Sequence, residues 1–166
     1  MRFVFLTFAI CLCLAPTAKA QQPAWTVGPE VRNPLDAIYR HADGDIDGDG
    51  RQDVSAFCST TNFVIADNTW PEVKGKAAAT LVVGDRRYEV EGIHLDPADS
   101  PYAGMMRMCR LTDQVAISWP AEQAPNFSPG DSVTLVIGGR ERSYGGGASA
   151  VLSAVREQCL RNVAGN

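Results

Sequence analysis

Between residues 36 and 144, short runs of β-branched and aromatic residues alternate with polar ones and stop at Gly, Asp and Pro; no stretch there sustains a 3.6-residue period. The pattern predicts antiparallel hairpins. Residues 79–83 and 86–90 flank Gly84-Asp85, residues 105–111 and 114–119 flank Thr112-Asp113, and residues 133–137 and 140–144 flank Gly138-Gly139. Glycine supplies the positive φ that two-residue hairpin turns require. A fourth pair, 37–41 with 54–58, brackets an acidic loop.

After Gly145-Gly146-Gly147 the period changes. Residues 149–163 put Val151, Leu152, Val155 and Cys159 on one helical face and Arg156, Glu157 and Arg161 elsewhere, which predicts one amphipathic helix with Ser149 at its N-terminus. The expected fold is mainly β, a two-layer β-sandwich of antiparallel hairpins with one C-terminal α-helix.

The chain also echoes itself. Thr80-Leu81-Val82-Val83-Gly84-Asp85-Arg86 returns as Thr134-Leu135-Val136-Ile137-Gly138-Gly139-Arg140, with Trp70-Pro71 and Trp119-Pro120 upstream and Phe57-Cys58 and Met108-Cys109 further upstream. Each unit of about 50 residues reads as a strand ending in Cys, a strand ending in Trp-Pro, a loop and a hairpin.

The N-terminus has a different character. Arg2, an apolar run over 3–14 and Ala18-Lys19-Ala20 have the order of a secretory signal peptide cleaved before Gln21. About a dozen apolar residues are too few to span a bilayer. The expected organisation is a signal at 1–20, an extended segment at 21–35 and a single β-rich domain at 36–166, with no integral membrane segment after cleavage. Periplasmic or extracellular localisation follows from that reading. In such an oxidising compartment Cys58, Cys109 and Cys159 predict one disulfide and one leftover thiol, with three possible pairings.

Composition narrows the partners. With 166 residues, 45% hydrophobic and 20% charged, the chain suits one globular domain. Loss of the signal removes two of 15 Lys+Arg and none of 19 Asp+Glu, taking the net charge from −4 to −6. So acidic a chain is a poor match for nucleic acid.

The acidity is concentrated. Residues 43–53, Asp-Gly-Asp-Ile-Asp-Gly-Asp-Gly-Arg-Gln-Asp, hold five of the nineteen acidic side chains, a density that mutual repulsion makes costly without a cation. Counted from Asp45, carboxylates fall at positions 1, 3, 5 and 9 (Asp45, Asp47, Asp49 and Asp53), Gly50 takes the turn at 6 and the Arg51 carbonyl stands at 7. These are positions from which an EF-hand-type loop offers oxygens to Ca²⁺. Position 12 is Ala56 rather than Glu, and a strand follows instead of a helix, so the loop is not an EF-hand. Hard oxygen donors favour Ca²⁺ over zinc or copper.

Across about twenty residues, the loop resembles the D-x-D-x-D-G-x-x-D calcium hairpins of FG-GAP and VCBS repeats, found in integrin-type β-propellers. The resemblance implies Asp45, Asp47, Asp49 and Asp53 as side-chain ligands and Arg51 as a backbone ligand. One copy implies a calcium hairpin and no propeller, which needs several blades. The string from Tyr144 to Leu152, Tyr-Gly-Gly-Gly-Ala-Ser-Ala-Val-Leu, with the late Cys159, resembles uncharacterised proteobacterial periplasmic proteins that end in a hairpin, a small-residue stretch and a short helix.

Catalytic patterns are sparse. Gly147-Ala148-Ser149-Ala150-Val151 lacks the second glycine of a nucleophile elbow, and no Gly-Lys-Ser/Thr follows the glycine run. The histidines are His41, beside the acidic loop, and His94, whose alternation with apolar neighbours predicts an outward strand residue. Trp25, Trp70, Trp119, Tyr88, Tyr102 and Tyr144 read as core or sheet-edge packing before a sugar-binding face. The expected function is a non-enzymatic binding or envelope protein, stabilised by Ca²⁺, with a protein or glycan partner meeting exposed hairpin edges. The alternative is a metal-dependent hydrolase using the loop and His41.

Overall fold

The computed structural model describes residues 24–32, 38–59, 61–95 and 114–165. The signal peptide expected at 1–20, Cys109, Tyr102 and the predicted strand at 105–111 lie outside them. The described strands are β1 (Ala24–Val27), β2 (Val31–Arg32), β3 (Ile38–Tyr39), β4 (His41–Asp45), β5 (Val54–Ser59), β6 (Asn62–Asp67), β7 (Lys76–Val83), β8 (Arg86–Leu95), β9 (Gln114–Pro120), β10 (Val133–Ile137) and β11 (Arg140–Ser143). Helix α1 (Ala148–Ala164) ends the chain.

The fold is mainly β with one C-terminal helix, as the hydrophobic pattern implies. Most of its described strands are joined by hydrogen bonds into one main sheet. Nine form one curled antiparallel sheet in the order β1-β4-β5-β6-β9-β8-β7-β10-β11, and β2 pairs with β3 apart from it. Strand β9 makes that sheet continuous, because it pairs with β6 along one side and β8 along the other.

Local turn chemistry is realised as read. Val83 faces Arg86 across Gly84-Asp85, and Ile137 faces Arg140 across Gly138-Gly139. The fourth pair is shifted, however: β5 pairs with 41–45 rather than 37–41, so that Gly44 faces Val54 and His41 faces Phe57. The acidic stretch therefore begins inside a strand. The extended segment expected at 21–35 contains β1, which pairs with β4.

The echoed hairpins are neighbours. Strands β7 and β10 pair so that Leu81 faces its counterpart Leu135, Thr80 faces Val136 and Val82 faces Thr134. That register places a local two-fold axis through the Leu81–Leu135 pair. The arginines after the turns obey the same symmetry. Arg86 reaches Asp131 and the Asn126 carbonyl, ahead of β10, while Arg140 reaches Glu72, ahead of β7, and lies over the Trp70 ring.

The core lines the concave face. One cross-strand row, Ala42, Ala56, Ile65 and Ile117, runs from β4 to β9 and is wholly buried. Against the same core α1 packs Leu152, Val155 and Cys159, and Cys159 forms a disulfide with Cys58 of β5. Burying apolar surface at about 25 cal/mol per Å² drives this packing. The end strands meet through side chains. Trp25 on β1 donates its indole N–H to the carbonyl of Tyr144, just past β11, at 2.8 Å, and the two rings stand edge to face.

Candidate functional site: the acidic loop between β4 and β5

The loop is a β-hairpin connection, entered from β4 at Asp45 and left into β5 at Val54. Its entry is fixed by Gly44, which faces Trp25 across the strand pair; a Cβ there would lie 2.9 Å from the indole ring. Trp25 can pack flat on β4 only because this position has no side chain.

Within the loop, carboxylates take up backbone N–H groups. Asp45 Oδ1 accepts from Gly48 N at 2.7 Å and Asp45 Oδ2 from Gly50 N at 2.8 Å. Asp47 Oδ1 accepts from Asp49 N at 3.0 Å, and Asp49 Oδ1 from Arg51 N at 2.8 Å. Both are local turns of the kind short acidic side chains form. Gly50 has φ 84°, the left-handed conformation its place in the turn requires.

Three of the sequence-derived ligands come together. One oxygen each of Asp45, Asp47 and Asp49 lies within 4.8 Å of the others, with Asp45 half-buried and the other two exposed. A hard cation fits such an oxygen set. Arg51 is exposed and its Nε lies 3.9 Å from Asp49 Oδ2.

Asp53 has different company. It is 9% exposed, and its Oδ2 accepts from Ile46 N at 2.9 Å and Asp47 N at 3.3 Å while pairing with Arg142 Nη2 of β11 at 3.0 Å. Asp53 thus caps the start of the loop and ties it to the far end of the sheet. Sequence reasoning missed Arg142, because nothing at position 142 announces a partner 89 residues away. Asn68 adds a second clasp, its Nδ2 donating to the Gln52 carbonyl at 2.7 Å.

The histidines stand elsewhere. His41 Nε2 is 3.6 Å from Asp43 Oδ2, and neither residue belongs to the Asp45, Asp47 and Asp49 group. His94 faces Val115, which is buried, so it shares the concave face; the outward residue is Ile93, 42% exposed. The period-two reading assigned His94 the opposite face. Trp70, Trp119 and Tyr144 are buried, as the packing interpretation expects.

Beneath the sheet's meeting point lies a fully buried phenol. Tyr144 is pushed well above the usual tyrosine range by burial first, then by the Asp67 carboxylate beside it, while Arg142 opposes the shift. Asp67 is itself wholly buried, with Oδ1 accepting from Thr69 N at 2.8 Å and from Thr69 Oγ1 at 2.5 Å.

Among the described residues no helix is long and apolar enough to cross a membrane. Compared with family models, curated proteins and solved structures, the chain has no match.

Proposed function

We propose that the chain is an exported domain whose acidic loop binds Ca²⁺ for stability and which acts by holding a protein or glycan partner, without catalysis. The observation that carries the metal part is the convergence of Asp45, Asp47 and Asp49. Unscreened unit charges at that separation repel by about 1 kcal/mol per pair even in water, and a divalent cation converts that repulsion into ligation. Asp53 and Arg142 hold the loop open to receive the cation, which keeps the ordering cost low.

Export is supported by the signal-like residues 1–20 and by the Cys58–Cys159 disulfide, a bond that persists in oxidising compartments. The binding role is supported by the exposed residues of β1 and β11, which come together at the two ends of the sheet and form a surface a partner can meet.

Thermal unfolding of residues 21–166 in EDTA and in millimolar Ca²⁺ tests the metal. Saturation at about 100 times Kd adds about 2.7 kcal/mol, so the midpoint should rise by several degrees. Asp47→Ala should abolish the rise. Equal midpoints in EDTA and Ca²⁺ would reduce the loop to an acidic turn. Cell fractionation with N-terminal sequencing tests export; a mature chain beginning at Gln21 is expected, and an uncleaved cytoplasmic one would overturn that part.

A further inference from the structure

Asp47-Gly48 and Asp49-Gly50 are Asp-Gly peptide units whose aspartates are exposed. In such a unit the glycine carries no side chain to shield its amide nitrogen, which can attack Cγ of the preceding aspartate. The N–Cγ bond forms and the Cγ–OH bond of the protonated carboxyl breaks, the amide proton and that OH leave as water, and a succinimide ring results. Water then opens either carbonyl, returning aspartate or leaving isoaspartate with an extra carbon in the backbone. Water is the only co-reactant.

Here both attacking nitrogens are engaged by one side chain. Gly48 N is bonded to Asp45 Oδ1 and Gly50 N to Asp45 Oδ2; bonds to an ionised acceptor are the stronger kind. The carboxyls under threat are engaged as well, since Asp47 and Asp49 each accept from the amide one residue beyond the one that would attack. Ring closure must break an Asp45 bond and a local turn together. We propose that Asp45 protects the chain from isoaspartate formation at Asp47 and Asp49 by tying down these two glycine amides. The protection comes from the loop's own hydrogen bonds and does not depend on a bound cation.

The test is incubation of the folded chain at 37 °C in ¹⁸O-water with EDTA, followed by peptide mass spectrometry, because each succinimide that opens takes up one heavy oxygen. Asp45→Ala should raise incorporation at Asp47 and Asp49 about tenfold over wild type, equivalent to about 1.4 kcal/mol. Asp53→Ala, which frees the Ile46 and Asp47 amides and Arg142 but leaves Asp45 in place, should stay near wild type. Equal incorporation in wild type and Asp45→Ala, or equal rises in both variants, would overturn the proposal. Urea-unfolded wild type supplies a check that needs no variant: folded wild type reacting as fast as the unfolded chain would also overturn it.

Discussion

Arg142 and Asp53 form an ion pair, 3.0 Å from Nη2 to Oδ2, in which the last strand of the sheet grips the same oxygen that caps the acidic loop. Removing either partner leaves the other charged and poorly solvated. Arg142→Met should destabilise the fold by about 1–3 kcal/mol, less than a fully buried pair would lose because the guanidinium is partly exposed. A double-mutant cycle with Asp53→Asn, read by urea unfolding, should return a coupling energy well above the uncertainty of the measurement.

Trp25 and Gly44 are matched in shape. Gly44→Ala places a methyl group 2.9 Å from the indole and should cost about 1–3 kcal/mol. In a Trp25→Ala background the same substitution should be nearly neutral, since the clash is gone. Trp25→Phe, which keeps a ring but loses the bond to the Tyr144 carbonyl, should cost about 1–2 kcal/mol. Denaturant midpoints of the five chains, wild type included, decide the matter.

The disulfide closes a sequence separation of 101 residues. Bridging so long a loop restricts the unfolded chain strongly, and loss of the bond should cost about 2–5 kcal/mol. Cys159→Ala and reduced wild type should therefore show the same lowered melting temperature. A melting temperature unchanged by reductant would mean that helix packing alone holds the C-terminus.

Tyr144 makes stability fall at high pH. Its folded pKa lies well above the usual tyrosine value, so the folded state keeps its proton where the unfolded chain has lost it. The contribution is complete below about pH 10 and is lost as pH rises from there toward the folded value. Wild type should lose stability above pH 10 more steeply than Tyr144→Phe, measured as melting temperature against pH.

Local features were legible in the sequence and long-range ones were not. The hairpins at Gly84-Asp85 and Gly138-Gly139 follow from turn glycines flanked by β-branched runs, and the terminal helix from the spacing of Leu152, Val155 and Cys159. The sheet order was hidden, because β9 pairs with β6 and β8 through backbone groups that every residue carries. The fourth hairpin slipped by four residues for a related reason: His41–Asp45 looks like loop, and its pairing with β1 on one side and β5 on the other makes a strand of it. In the loop, spacing identified Asp45, Asp47 and Asp49 as a group. It could not foresee that Asp53 pairs with Arg142 on β11.

Cys58 and Cys159 also divide the chain topologically. Their bond makes a covalent ring of everything from the end of β5 to α1, with β1 to β4 and the acidic loop on an open arm outside it. The arm is attached through the β4–β5 ladder, the Trp25 and Asn68 hydrogen bonds, the Asp53–Arg142 and Glu30–Arg161 pairs and the buried Ala42. It can peel away as a unit while the ring stays closed, so its amides should exchange with solvent by a subglobal opening well below the free energy of full unfolding. The tethers that position the loop are then also the ones that determine how often it comes loose.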